Sequence, residues 1–138
     1  MEFTVSDWMN ELVVFIDPQK TVSEALAMMR RRYIQSLIVN KSPQNPGYGI
    51  VTSTDICDKI IAQNRNPSRV KVGEIMNTPL LTVHRSTSIQ DCALLMRKHQ
   101  IHHLPVVNED GELVGVISAT DFLVVAEEMG RDPGEQLV

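Results

Sequence analysis

Apolar residues recur along this chain with two different periods, and the order of those periods is the same in both halves. Val13-Val14-Phe15-Ile16 and Leu80-Leu81-Thr82-Val83 are short β-rich runs that predict strands. Val22, Ala25, Leu26 and Met29 follow at i, i+3, i+4 and i+7. Ile89, Cys92, Ala93 and Met96 repeat that spacing, so each set predicts one apolar helix face. Thr21 with Glu24, and Ser88 with Asp91, stand where a capping box would open these helices. Ser36-Leu37-Ile38-Val39 and Leu104-Pro105-Val106-Val107 predict second strands. The Asp-Gly within NEDGE (108–112) predicts a tight hairpin, whereas the first half carries the longer loop NKSPQNPGYG (40–49). A third strand then leads into a closing helix, from Thr54 to about Asn64 and from Thr120 to about Met129.

The two halves are therefore a tandem repeat. A shift of 67 lays residues 5–16 on 72–83 and residues 21–39 on 88–106. Beyond the unequal loops the shift becomes 66, and GIVTSTD (49–55) falls on GVISATD (115–121). The polar joint QNRNPSRVK (63–71) contains Pro67 and reads as a connector. The expected organisation is one repeat over 1–66, a second over 67–130, and a polar tail over 131–138. A single β-α-β-β-α unit is too small to cover its own sheet face, which the packing of two units remedies.

Composition narrows the function classes. The chain has 138 residues, enough for one domain or two small repeats sharing a core. No apolar run approaches the ~20 residues of a membrane span. The opening MEFTVSDWMNEL lacks a basic stretch followed by an apolar one, so no secretory signal is expected. A net charge of −4 argues against general nucleic-acid or membrane-surface binding. Cys57 and Cys92 lie in predicted helices without a CxxC partner, as free thiols in a reducing cytoplasm would. No nucleophile–base pair, GxxxxGK[ST] or HExxH is present, so an enzyme is not expected. The histidines (His84, His99, His102 and His103) have no cysteine or acidic motif at ligand spacing, so no metal site is expected.

The repeated motif is the candidate chemistry. Thr52 with Asp55, and Ser118 with Asp121, fall where a strand stops and a helix begins. A helix start presents unpaired N–H groups that suit phosphate, and an aspartate there can accept hydrogen bonds from two vicinal ribose hydroxyls. Gly49 and Gly115 would leave room for close backbone approach. The same residues also make acceptable capping boxes, T-x-x-D and S-x-x-D, which need no ligand. His102 and His103 stand immediately before the second strand of the second half, where imidazolium could meet phosphate or simply face solvent. Arg30-Arg31-Arg32 matches Arg97-Lys98-His99 at the helix ends, where cations suit the dipole and one or two could turn toward an anion.

Taken in order and twice over, VSDWMN and VGEIMN, TVSEALAMM and SIQDCALLM, GIVTSTDI and IHHLPVVNEDGELVGVISATDF resemble a tandem pair of CBS domains, a Bateman module. The resemblance runs from about Val5 to Ala126. It implies an α+β fold of tandem β-α-β-β-α repeats packed with pseudo-two-fold symmetry, with clefts that take adenosine nucleotides (AMP, ADP or ATP). By that likeness Asp55 and Asp121 would hold ribose, and Thr52 and Ser118 would lie near ribose or phosphate. His102 and His103 would face phosphate, Val83 and Val106 would flank adenine, and Thr78 would line the cleft. The first repeat departs from the pattern, with Gln35-Ser36 in place of His102-His103 and Ile38 in place of Pro105. Unequal sites are therefore expected, the one using Asp121 being better occupied. The implied role is regulatory: a module that binds adenosine nucleotide, pairs into a homodimer through apolar closing helices, and modulates a partner protein in trans. A ligand-free dimerisation scaffold of the same fold is the alternative.

Overall fold

The computed structural model describes residues 3–131. The tail expected at 131–138 lies outside the described residues except for Arg131. Two three-stranded sheets carry the fold. In the first, β1 (Phe15–Ile16) pairs parallel to β2 (Ser36–Val39), which pairs antiparallel to β3 (Gly49–Thr52). In the second, β4 (Val83–His84) pairs parallel to β5 (His103–Val107), which pairs antiparallel to β6 (Leu113–Ser118). The parallel pairs are joined by the helices α2 (Val22–Arg32) and α5 (Ile89–His99). Thr21 and Ser88 cap them as expected: Thr21 Oγ1 accepts from Glu24 N at 3.2 Å and Ser88 Oγ from Asp91 N at 3.1 Å. Both helices end on a left-handed residue, Tyr33 at φ 55° and Gln100 at φ 54°.

The helix faces read from the spacing are the ones that are buried. Val22, Ala25 and Met29 enter one core, and Ile89, Cys92 and Met96 enter another. Burial also pushes the Cys92 thiol up to about 11, so it serves as a small apolar group. The first strands are shorter than the runs predict, although the Val14 carbonyl still accepts from Ile38 N at 2.9 Å.

Compact units do not follow the sequence repeats in order. Residues 3–12 belong with 82–131, and Val13–Leu81 form the other unit. The short helix α1 (Val5–Trp8) is held by Val5 N donating to Thr87 O at 2.9 Å and Ser6 N to Arg85 O at 2.9 Å. Its counterpart α4 (Val72–Ile75) is held by Val72 N donating to Lys20 O at 2.8 Å and Gly73 N to Pro18 O at 2.9 Å. Val5 and Val72, matched by the sequence shift, are each fully buried, Val5 with the second sheet and Val72 with the first. Each opening segment thus completes the core that the other repeat's strands begin.

The closing helices differ from each other. The second, α6 (Asp121–Met129), is regular. The first begins as α3 (Ser53–Ile56) and widens into π-type turns over Cys57–Ile61, with Ala62 N donating to Cys57 O at 2.9 Å. Among the described residues no helix is long and apolar enough to cross a membrane.

Candidate functional site

The two hydroxyl–aspartate motifs form at the C-terminal ends of β3 and β6, and one half of their geometry is shared. Thr52 N donates to Asp55 Oδ2 at 2.8 Å and Thr52 Oγ1 donates to it at 3.2 Å. Ser118 N donates to Asp121 Oδ2 at 2.7 Å and Ser118 Oγ at 3.1 Å. Both aspartates therefore use Oδ2 to seal the turn beneath them, as a capping box does. The question left open by the sequence is what the other oxygen does.

In the Val13–Leu81 unit the second oxygen is taken. Asn77 Nδ2 donates to both Asp55 oxygens at 2.9 Å, and Lys59 Nζ lies 3.1 Å from Oδ1. Lys59 also donates to Ile75 O at 2.7 Å and to Asn77 Oδ1 at 3.1 Å. Asp55 is only 6% exposed. Asp55, expected to hold ribose, instead has both carboxylate oxygens engaged within the chain and ties α3 to the segment after α4.

In the other unit that oxygen is open. Asp121 is half-buried, and among the described residues nothing donates to its Oδ1. The residue corresponding to Lys59 is Val125, which is buried in the core. The residue corresponding to Asn77 is Asn10, whose Oδ1 instead accepts from Leu12 N at 2.9 Å. Ser118 Oγ also lies 2.8 Å from Thr120 Oγ1.

His103 pairs with Ser118 across β5 and β6, and residues directly opposite in an antiparallel ladder put their side chains on the same face. His103, Ser118 and Asp121 thus gather at one end of the second sheet. His102 is exposed beside them, its carbonyl accepting from Ala119 N at 2.9 Å. In the first sheet the pair opposite is Ser36 with Thr52, and no imidazole stands there.

Three other expectations resolve differently. Val83 and Val106 pair across β4 and β5 and are buried in the core with Leu104 and Ile117. Their side chains, expected to flank adenine, are packed inward among these core residues. Thr78 is exposed and lies by Gly49, at the opposite end of β3 from Thr52. The two glycines do admit close approach, but of the chain itself. A Cβ on Gly115 would lie 2.8 Å from Asn10 O, and one on Gly49 would lie 3.1 Å from Asn77 O. Of the basic residues, Arg30 and Arg31 line an open groove of about 900 Å³ with Gln35 and Ser53. Among the described residues neither arginine has a carboxylate partner. No three His, Cys, Asp or Glu side chains among the described residues gather as a metal site would require.

Lys59 and Asn77 are the residues that sequence reasoning missed. Lys59 carried a visible signal, because Asp55 and Lys59 have the i, i+4 spacing of a helical ion pair and Asp121 has no such partner.

A duplicated three-stranded α+β unit, with a hydroxyl–aspartate turn at the end of each third strand, defines a tandem-repeat module. The CBS-domain family model matches residues 5–62 and 72–128, and the chain belongs to that family as a pair of CBS domains. An uncharacterised protein of Methanopyrus kandleri is 31% identical over 113 residues. That match takes in 82% of this chain and 57% of the relative, so the chain spans little more than half of that relative's length. The hexameric CBS-CP12 protein from bloom-forming cyanobacteria is 30% identical with a TM-score of 0.85, over 99% of this chain and 78% of that one. The CBS domain pair of protein MJ0100, in complex with 5′-methylthioadenosine and S-adenosyl-L-methionine, has a TM-score of 0.78 at 24% identity. That match covers 94% of this chain and 99% of that one.

Proposed function

We propose that this CBS pair is a regulatory receptor for an adenosine-containing ligand, seated at the end of the second sheet by Asp121, Ser118 and His103. The observation that carries the reading is that, among the described residues, Asp121 Oδ1 accepts no hydrogen bond while Oδ2 is sealed by the cap. An ionised carboxylate has about four acceptor directions, and the cap uses two of them. The two left match the two donors of a vicinal ribose diol. His103 and the exposed His102 would serve a phosphate or another anionic end, and Ser118 a ribose or phosphate oxygen. The ligands of the MJ0100 pair both carry adenosine, which supports that class over an unrelated one.

In this reading the protein is not an enzyme. Ligand occupancy biases the arrangement of the chain, or of a homodimer, toward one that a partner protein recognises. The dimer would use the closing helices, where Leu123 is 71% exposed and Ile61 equally so. Ile60 and Val125, apolar residues of the same closing segments, belong instead to the cores.

Thermal melts with AMP, ATP and S-adenosylmethionine test the reading. A ligand at 100 times its dissociation constant adds about 2.7 kcal/mol, a rise of roughly 5–10 °C. A melting temperature unmoved by all three at millimolar concentration would favour the ligand-free scaffold.

A further inference from the structure

We propose that Lys59 is a built-in counter-ion that closes the first motif, so that each chain takes one adenosine-type ligand rather than two. This rests on the assignment of Asp121 as the ribose acceptor, and extends it to what sets the number of sites. The ammonium of Lys59 has its donors placed on three acceptors: Asp55 Oδ1 at 3.1 Å, Asn77 Oδ1 at 3.1 Å and Ile75 O at 2.7 Å. The ammonium and the Asn77 amide already fill the acceptor directions of the Asp55 carboxylate, so a ribose diol would have to displace an ion pair as well as an amide to reach it. The motif itself does not distinguish the two units. Thr52–Asp55 and Ser118–Asp121 make the same two bonds to Oδ2. The difference lies one helical turn later, where Lys59 faces its aspartate and the matching residue is Val125.

The surroundings of the closed motif retain features that suit an anionic ligand. Ser53, adjacent to Thr52, lines the groove that also carries Arg30 and Arg31. Removing the ammonium would thus uncover a carboxylate two residues from Ser53, whose groove carries cationic side chains with no carboxylate partner among the described residues. On this account, Lys59, which also holds the Asn77 amide against Asp55, separates a one-site chain from a two-site chain.

Calorimetric titration of the full chain with AMP, ATP and S-adenosylmethionine in turn gives the stoichiometry that tests this. Wild type is expected to bind one equivalent, Asp121→Ala one equivalent roughly 10- to 150-fold more weakly, and Lys59→Met two. Lys59→Met combined with Asp121→Ala is expected to regain one tightly bound equivalent through Asp55. Lys59→Arg, which keeps the cation, should remain at one. Lys59→Gln serves as the second opening variant, and a cooperative melt confirms that each variant is folded. One equivalent in wild type and still one in both Lys59→Met and Lys59→Gln would overturn the lock while leaving the Asp121 site standing. Two equivalents in wild type would also overturn it. No binding by wild type or by any variant would remove the underlying receptor reading as well.

Discussion

Asp55→Ala is expected to lower the melting temperature by roughly 6–15 °C, the consequence of losing about 2–4 kcal/mol. Three independent ties converge on this carboxylate. It closes the turn through Thr52, it receives both bonds from the Asn77 amide, and it neutralises Lys59. Removing it leaves the part-buried Thr52 N–H without an acceptor. It also releases the side chain that anchors the segment after α4, which meets β3 through the bridge between Ile50 and Asn77. The Lys59 side chain is 34% exposed and can be rehydrated, which keeps the loss below that of a fully buried ion pair. Asp121→Ala removes only a cap and should cost about 1 kcal/mol, a few degrees. Paired thermal melts of the two variants without ligand check the contrast. Equal losses would mean that the Asn77 and Lys59 contacts contribute nothing.

Binding should show the reverse order. Asp121→Ala is expected to weaken the adenosine ligand by roughly 10- to 150-fold, since a hydrogen bond to a charged acceptor contributes about 1.5–3 kcal/mol. Asp55→Ala should leave affinity for the Asp121 site within about twofold at a temperature where the variant is folded, because independent sites do not couple. Titration calorimetry on both variants reads this directly. The two effects together separate one aspartate that holds the chain from one that holds a ligand, although both sit at the same step of the same repeat.

Much of the fold was legible because repetition exposed the period. Val22, Ala25 and Met29 and their matches Ile89, Cys92 and Met96 are buried as the spacing required. The interleaving was not legible. VSDW and VGEI look alike because each supplies the same plug, a fully buried valine at the head of a short helix. Likeness identifies the plug but not which core receives it, since that is decided by pairings such as Asn10 with Val116 and Ile50 with Asn77. The π-type turns over Cys57–Ile61 carry no glycine or proline that would announce them. At the site, the sequence posed capping and ribose binding as alternatives, whereas in the structure the cap uses only Oδ2 of Asp121, so a capping aspartate need not be spent by its cap. Asn10 and Asn77 are identical and occupy matched positions, yet one caps its own strand entry and the other binds Asp55. Only side-chain direction separates them.

The central claim is that Asp121 Oδ1, the carboxylate oxygen outside the cap, recognises the vicinal hydroxyls of ribose. The most direct measurement compares the affinity of wild type for ATP with that for its 2′,3′-dideoxy analogue, and repeats the comparison in Asp121→Ala. The account predicts that wild type prefers ATP by roughly tenfold or more and that the variant binds the two equally. Equal affinity in wild type, or a preference that survives in Asp121→Ala, would contradict it.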